Sequence, residues 1–482
     1  MTSVVVVGGG VTGLAAARRL ALAGAGVTVL EQSPRWGGKL DRTVLGEAGV
    51  ELGLDTGAES MLARRPEAVA LVAELGLTPQ QVHPTSAKPQ LLVGGRLVAM
   101  PPSLQGVPVD VPALAGLLSP EGLAYAAAEP ERPAPPLTGD LAIGAYVDER
   151  FGAEVTDRLL EPLLGGVYAG RPRELSFAAV APDLFARARA GGSLLEHARA
   201  GLRPGVTTPV FAGLVGGVSG LVTALVTDLE RRGVGLRPGS AVRELRRDAD
   251  GSWRLVTGSA AEPQTLTADA VLLAVPAGPA GRLAAGLVPS AAAYGAIPYA
   301  SVAVVTLVVR GLATTSSGVL VPPGQLPTIK ALTHSSVKWD WVRRQTEQVW
   351  GSGVAVVRAS VGRSGEAELL QLGDRALTGR TFAEARTLPG WSGVTLLGAR
   401  LTRWGGGLPQ YLVGHRELVA ALLGELAGLP GLAVAGAALD GVGIAACLAS
   451  ADAAATKIIA DLGRADHDQQ VSEHDQLEGS RR

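Results

Sequence analysis

Six residues near the start of the chain have the types and spacing of a phosphate-binding glycine turn. They follow a run of valines and precede a stretch rich in Ala, Leu and Arg, so a strand, a turn and a helix are predicted in that order. In such a turn the first glycine permits the bend, the second lets the backbone approach a pyrophosphate, and the third lets the helix pack on the strand. The six are Gly8, Gly9, Gly10, Val11, Thr12 and Gly13.

An acidic residue follows the second predicted strand, residues 27–30, and completes a β-α-β unit. A carboxylate at this point accepts hydrogen bonds from ribose hydroxyls and disfavours a 2′-phosphate. That residue is Glu31, and Gln32 comes directly after it. The pattern therefore predicts a dinucleotide site at which helix N–H groups bind the phosphates.

The next residues favour a flavin over a nicotinamide. Residues 35–39 read RWGGK, a second glycine turn with Arg35 and Lys39 as cations near the pyrophosphate. The glycines at 216–220 form no second fingerprint, because we predict no strand before them and no acid after them. With no second site for NAD(P)H, the simpler scheme is a flavin that substrate reduces and a small acceptor reoxidises.

Composition excludes several other classes of protein. The formal net charge is −1 with scattered basic residues, so we expect no nucleic acid partner, and the single cysteine, Cys447, excludes an internal disulfide and a cysteine zinc site. Of the six histidines only the pair in the polar tail, His467 and His474, comes near metal-ligand spacing, and we predict no metal. The first residues lack the basic region of a secretory signal, so we expect none. The uncharged stretches 204–227 and 283–309 contain Gly, Pro, Ser and Thr, so we interpret them as buried segments and not as membrane spans. A cytoplasmic protein is expected.

The elements that must position these residues predict an α/β fold with α+β inserts. We expect strands at 242–245, 253–257 and 270–275 as a meander, strong strands at 301–309 and 354–362, and a last strand at 432–435 before a helix at 444–462. This gives a discontinuous Rossmann-like FAD-binding domain (1–62, 205–279 and 394–462), a mixed-sheet substrate domain (63–99 and 280–393) and a helical subdomain (100–204). Residues 463–482 are polar and predicted to be disordered.

Several further segments carry a family resemblance. Residues 31–40, EQSPRWGGKL, resemble the motif of the FAD-dependent amine oxidase superfamily. More specific likenesses follow at 54–65 (LDTGAESMLARR), 161–170 (EPLLGGVYAG), 331–339 (ALTHSSVKW), 408–415 (LPQYLVGH) and 436–447, which ends in GVGIAAC. Together they resemble the protoporphyrinogen and coproporphyrinogen III oxidases within that superfamily, in the Gram-positive bacterial type.

The resemblance implies FAD as cofactor and a set of contacts beyond the first turn. Val242 is expected on a strand whose backbone bonds adenine, or else in core packing, and the turn 442–444 is expected at the flavin, or else as a helix cap. The implied contacts are Gly8–Gly13, Glu31, Gln32, Lys39, Gly57, Ala58, Glu59, Ser60, Val242, Trp404, Val442, Gly443 and Ile444.

The resemblance also implies the reaction, which is a six-electron oxidation of a porphyrinogen in haem biosynthesis with dioxygen as acceptor. Coproporphyrinogen III is the favoured substrate, and protoporphyrinogen IX is the alternative. Arg64 and Arg65 are candidates for pairing with propionates, or else surface residues, and Gly166, Val167 and Tyr168 either wall the cavity or end a helix. No catalytic residue is assigned. An amine oxidase, a carotenoid desaturase-like enzyme and a non-catalytic binding protein are the alternatives. Peripheral membrane contact through the proline-rich region 100–138, contact with other haem-pathway enzymes, and the oligomeric state stay open.

Overall fold

The computed structural model describes residues 2–47, 49–202, 205 and 209–479, with side chains through residue 464. Its first large unit is a sheet of five parallel strands, which we call the dinucleotide sheet. Runs of Val and Leu suit such strands because both faces are covered by other elements. In spatial order the strands are Gly235–Arg237, Gly26–Leu30, Ser3–Val7, Ala270–Leu273 and Leu432–Val434.

Helices pack on both faces of the dinucleotide sheet. One face buries leucine and alanine side chains of three helices, Val11–Leu22, Gly220–Arg231 and Ile444–Gly479. The other face packs on three more helices and on an antiparallel meander. These helices are Ala277–Leu283, Ala291–Gly295 and His415–Ala427, and the strands of the meander are Glu244–Arg247, Trp253–Gly258 and Pro263–Ala268.

The meander corrects one sequence prediction. We expected residues 270–275 as its third strand, but Ala270–Leu273 lies in the dinucleotide sheet between Ser3–Val7 and Leu432–Val434. All four of its residues are fully buried, as a strand covered on both faces requires. The actual third strand, Pro263–Ala268, is mostly exposed and polar, so its sequence gave little hydrophobic signal.

The second large unit is a seven-stranded mixed sheet, which we call the large sheet. Its pairs are antiparallel except for Gly318–Leu320 beside Pro89–Val93, and one face packs on the helix Asp374–Ala385. The spatial order is Thr395–Pro409, Tyr299–Arg310, Val354–Val361, Ile329–His334, Gly318–Leu320, Pro89–Val93 and Arg96–Ala99. The mixed α/β class is as predicted, and the domain boundaries stay predictions.

The region predicted to be helical contains a bundle of short helices with its own apolar core. Prolines and glycines between them keep each helix short. They are Pro120–Ala127, Ile143–Phe151, Ala153–Val155, Glu161–Tyr168, Phe177–Val180, Pro182–Ala188 and Leu194–Gly201, with a π-helical turn at Thr156–Leu160.

Smaller elements join these units. Helices are Pro66–Glu74, Ser335–Lys338 and Asp340–Trp350, with 3-10 turns at Thr78–Gln80, Pro112–Leu114, Glu129–Glu131 and Ala367–Gln371. Short strands pair as Arg42–Glu47 with Val50–Asp55, Ser103–Leu104 with Val107–Pro108, and Phe211–Leu214 with both Met61–Leu62 and Gln81–Val82.

Two further expectations are corrected here. A strand, Phe211–Leu214, does precede the glycines at 216–220, but the N–H groups of Val218 and Ser219 donate to the Asp55 carboxylate, so an internal acid already occupies this turn. The last helix continues to Gly479 instead of ending at residue 462, residues 480–482 lie outside the described residues, and the assignment of 463–482 as a disordered tail stays a prediction. Among the described helices, none is both long and apolar enough to cross a bilayer.

Candidate functional site

The first glycine turn connects the strand Ser3–Val7 to the helix Val11–Leu22. Gly8 has a φ of +113°, and a Cβ there would lie 2.4 Å from the carbonyl oxygen of Ala274. A Cβ at Gly13 would lie 1.9 Å from the oxygen of Gly8. Both glycines therefore let strand, turn and helix pack together.

Gly10 differs from these two glycines because it faces open space. The nearest atom to its Cβ position is the Cα of Gly38 at 3.9 Å, and Gly10 lines a cavity at the carboxyl edge of the dinucleotide sheet. A side chain here would project into the cavity instead of into the fold. This is the cradle that a pyrophosphate needs, since backbone N–H groups stay accessible at the helix start.

The carboxylate of Glu31 is fixed beside this turn. Its Oε2 accepts a hydrogen bond from the Gly9 N–H at 2.7 Å, and its Oε1 accepts one from the Ser33 N–H at 2.7 Å. Each carboxylate oxygen keeps acceptor capacity after these bonds. Glu31 and Gln32 both line the cavity, so the carboxylate is positioned to accept from ribose hydroxyls.

The second glycine turn lies against the first. The Gly37 N–H donates to the oxygen of Gly9 at 2.8 Å, and Arg35 donates to the oxygen of Gly38 at 2.9 Å. Lys39 lines the cavity with its ammonium 5.6 Å from the centroid of the Tyr299 ring. Burial lowers the pKa of Lys39.

The structure brings most of the predicted cofactor residues around one cavity. Those that line it are Gly8, Gly10, Val11, Thr12, Glu31, Gln32, Lys39, Ala58, Val242, Val442 and Ile444. Those that do not line it are Gly9, Gly13, Gly57, Glu59, Ser60, Trp404 and Gly443. Val242 lies just before the strand Glu244–Arg247 and not on it, which corrects the expected strand position.

Sequence reasoning missed several residues that line the cavity. Many of them follow strands of the dinucleotide sheet, where ligands of open α/β sheets bind. The residues after Ala270–Leu273 were missed because 270–275 was assigned to the meander. The residues after the predicted strand 432–435 could have been found from the end of that strand. The missed residues are Ala274, Val275 and Pro276, then Gly436, Ala437 and Ala438, together with Ser240, Tyr299, Gly407, Leu408, Pro409 and Cys447.

The turn that contains Gly57 and Glu59 is held from two sides. A Cβ at Gly57 would lie 2.0 Å from the oxygen of Lys39, and the Trp404 indole N–H donates to the oxygen of Thr56 at 2.9 Å. This packing places the turn between the second glycine turn and the large sheet.

A half-buried ionic group, which we call the Glu59 cluster, holds the same turn. Lys338 and Arg358 each donate to the Glu59 carboxylate at 2.5 Å, and Arg358 also donates to the oxygen of Gly57 at 2.6 Å. Burial raises the pKa of Glu59, but the two cations outweigh it and the pKa is lowered to about 2. Sequence reasoning missed Arg358, although a lone charge within the apolar strand Val354–Val361 was a signal.

The large sheet has one face on which several side chains are half-buried, whereas side chains on the opposite face are fully buried. Cross-strand partners share a face of a sheet, and the register pairs Val304 with Ser360, Ser360 with Ala331, Arg358 with Thr333, and Leu320 with Ala331. All of these are half-buried, whereas Val305, Val357 and Leu332 on the other face are fully buried. We call this surface the half-exposed face.

The half-exposed face connects the two predicted sites. At one end Trp404 pairs with Val302 beside the Gly57 turn. At the other end Leu320 lies 4.0 Å from the Cβ position of Gly166. A broad wall with small and apolar side chains, Val304, Ala331 and Ser360, therefore runs from the cofactor cavity to the end of the helix Glu161–Tyr168.

Of the residues predicted to contact substrate, Gly166, Val167 and Tyr168 lie at the end of this wall. Gly166 and Val167 are exposed, and Tyr168 is buried with its ring 5.5 Å from that of Tyr411. They end a helix, as the alternative interpretation had it. Burial raises the pKa of Tyr168 to about 12, so its phenol stays protonated at neutral pH.

The two arginines follow the Gly57 turn in the chain, between the strand Met61–Leu62 and the helix Pro66–Glu74. Arg64 and Arg65 are exposed, Arg65 pairs with Glu67 at 3.1 Å, and neither lines the cavity. In the part of the chain that the structure describes, no group of His, Cys, Asp and Glu side chains is placed to hold a metal ion.

Comparisons with known proteins agree with this geometry. The family model for flavin-containing amine oxidoreductases matches residues 11–459. A coproporphyrinogen III oxidase of Mycobacterium tuberculosis is 38% identical over 471 residues, which cover 95% of this chain and 97% of the relative. A protoporphyrinogen oxidase of Macaca fascicularis is 30% identical and covers 95% of this chain and 98% of its own length.

A solved structure shares the whole architecture. It is of an Exiguobacterium protein, with a TM-score of 0.81 and 28% identity over 95% of this chain and 99% of that one. The predicted fold class and the predicted flavin cofactor are thereby confirmed, and the cavity fits FAD through the open space at Gly10, the acceptor Glu31 and the exposed N–H groups. The chain belongs to the family of flavin-containing amine oxidoreductases and is an FAD-dependent oxidoreductase.

Proposed function

We propose that this chain oxidises coproporphyrinogen III to coproporphyrin III, with dioxygen as the acceptor, as a cytoplasmic enzyme of haem biosynthesis. The observation that carries the proposal is the half-exposed face between Trp404 and Gly166, because it offers a broad wall of small side chains beside the cofactor cavity. Full-length similarity to relatives named coproporphyrinogen III oxidase supports the substrate.

Different residues of the cavity would hold different parts of FAD. The glycine turn at Gly8–Gly13 would hold the pyrophosphate, and Glu31 the ribose. Val442 and Ile444, at the start of the last helix, and Ala58 would lie nearer the ring system. When bound, the flavin accepts a hydride and later passes electrons to dioxygen.

The chain's own groups would orient substrate and exclude water more than they would move protons. Arg358, the charged group on the half-exposed face, is committed to Glu59 and Gly57. Tyr299 accepts from the Ala277 N–H at 2.9 Å, and burial raises the pKa of its phenol. Pyrrole N–H protons are shed as aromaticity grows, so no protein base is assigned.

The test is an aerobic assay of the purified holoenzyme with two substrates. Porphyrin fluorescence is followed after addition of coproporphyrinogen III or protoporphyrinogen IX, with FAD alone as the background. We expect acceleration of both and a higher kcat/KM for coproporphyrinogen III. No acceleration of either, with peroxide released on addition of polyamines, would replace the proposal by an amine oxidase.

A further inference from the structure

Lys330 is a buried lysine whose ammonium makes no ion pair among the described residues. It lies at an irregularity in the strand Ile329–His334, between the residues that pair with Val361 and Ser360, and it is 4% exposed. Among the described residues its ammonium has no hydrogen-bond acceptor and no ion pair. A buried charge of this kind is costly unless something compensates it.

A second buried cation lies beside it. Arg363 is 9% exposed and donates to the oxygen of Val321 at 2.9 Å, while the Val321 N–H donates to the oxygen of Lys330 at 3.0 Å. Burial and the neighbouring Arg363 guanidinium lower the pKa of Lys330 to about 7, although the Glu366 carboxylate acts in the opposite direction. The two cations therefore share one low-dielectric region.

The nearby acids do not neutralise this pair. Glu366 lies 3.9 Å from Arg363 and 3.6 Å from Arg171, so two guanidinium groups share its carboxylate. Glu161 is buried, and burial raises its pKa despite Arg363 and Arg171. The region holds three basic side chains against one shared carboxylate and one acid that resists ionisation.

The backbone of the pair lies beside the half-exposed face, next to the strand Gly318–Leu320. The residue after Arg363, Ser364, donates through its N–H to the oxygen of Ala169 at 2.7 Å, directly after the helix Glu161–Tyr168. Ala331, the residue after Lys330, pairs with Leu320 on the half-exposed face. A macrocycle on this face would bring its rim substituents near these cations.

We propose that Lys330 and Arg363 form a carboxylate-binding subsite for a propionate that coproporphyrinogen III carries and protoporphyrinogen IX lacks. This rests on the proposed function and deepens it. A guanidinium fork and an ammonium suit a carboxylate, and a ligand anion would supply the missing counter-charge. The subsite favours a substrate with four carboxylates over one with two, in which vinyl groups replace two propionates.

The test compares Lys330→Met with Lys88→Met, the same substitution at an exposed lysine next to the large sheet. Three quantities are measured: the unfolding midpoint of the ligand-free protein, the Kd of coproporphyrin III by fluorescence, and kcat/KM for both porphyrinogens. For K330M we expect an unchanged or higher unfolding midpoint, because an uncompensated charge is removed. We also expect at least a ten-fold weaker Kd, and a ten-fold loss of kcat/KM for coproporphyrinogen III with less than a two-fold change for protoporphyrinogen IX. K88M should match the wild type in all three.

Two results would overturn the subsite. One is an unchanged Kd for coproporphyrin III in K330M. The other is a lower unfolding midpoint with equal losses on both substrates, which marks a structural role. In either case a wild-type protein that oxidises both porphyrinogens leaves the proposed function standing, whereas a wild type that oxidises neither defeats the proposed function itself.

Discussion

Glu59 accepts a hydrogen bond from Arg358 at 2.5 Å, although the two residues lie 299 positions apart in the sequence. The contact ties the turn at Gly57 to the half-exposed face of the large sheet, and Lys338 adds a second bond to the same carboxylate. The cofactor turn and the proposed substrate wall are therefore joined by a half-buried ionic group, and the position of one depends on the other.

Removal of the Glu59 charge should destabilise the protein. Glu59→Gln leaves Lys338 and Arg358 without their counter-ion, and the loss of about 3–5 kcal/mol when a fully buried pair is broken is the upper bound for this half-buried group. Denaturant unfolding of the ligand-free protein measures this change. Glu347→Gln is the matched control, because Glu347 pairs with Arg343 on the surface and should cost at most about 1 kcal/mol. Equal, small effects of both substitutions would show that the Glu59 cluster does not hold the turn.

The same residue sets a pH dependence. The pKa of Glu59 is lowered to about 2 in the folded protein from an ordinary value of 4.5. Its contribution to stability is therefore present above pH 4.5 and is lost as pH falls towards 2. The difference in the free energy of unfolding between wild type and Glu59→Gln should shrink over this range. A difference that stays constant from pH 6 to the acid limit of folding would contradict the assignment.

Gly10→Ala should separate cofactor binding from folding. Its methyl group would enter the cavity and meet no atom of the protein within 3.4 Å, so the ligand-free protein should fold while FAD affinity falls at least ten-fold. Flavin titration by fluorescence quenching gives the Kd, and thermal unfolding checks the fold. Gly424→Ala, in the open middle of the helix His415–Ala427, should bind FAD as the wild type does and should be about 0.5–1 kcal/mol more stable. Wild-type FAD affinity in Gly10→Ala would argue against a pyrophosphate at this turn.

Tyr411 should position the cavity wall through its hydroxyl. It donates to the oxygen of Ala437, a half-buried residue that lines the cavity, so Tyr411→Phe removes one hydrogen bond at a cost of about 0.5–1.5 kcal/mol. Flavin affinity should fall with it. Tyr294→Phe is the control, because the Tyr294 hydroxyl is buried without a partner in the described part of the chain and its removal should be neutral or stabilising. If the two variants unfold at the same temperature and bind FAD equally, the Tyr411 bond has no such role.

Local patterns predicted the parts of the site that lie close together in sequence. The glycine turn at Gly8–Gly13, Glu31 and the second turn at Lys39 lie within about thirty residues, so propensity, spacing and turn chemistry suffice to find them. The closing turn at Val442–Ile444 was named because the family resemblance implies it, and the glycine-rich turn before a helix agrees with that expectation.

Contacts between distant segments could not be predicted in this way. Val5 pairs with Val271 in the dinucleotide sheet, and nothing in the local pattern of 270–273 separates that partner from a meander neighbour. Arg358 reads as a stray charge until the fold brings Glu59 to it, and Lys330 shows no function until Arg363 lies beside it. The sequence likewise could not show that Arg64 and Arg65 are exposed, because their exposure depends on how the turn at Gly57 packs in the fold.

The most direct test mixes an excess of the purified FAD-bound protein with coproporphyrinogen III in the absence of oxygen and follows the visible absorbance of the bound cofactor. A six-electron oxidation predicts that three cofactor equivalents lose their yellow absorbance for each coproporphyrin III formed, and that the absorbance returns when air is admitted. A cofactor absorbance that does not change while the porphyrinogen stays unoxidised would contradict the account.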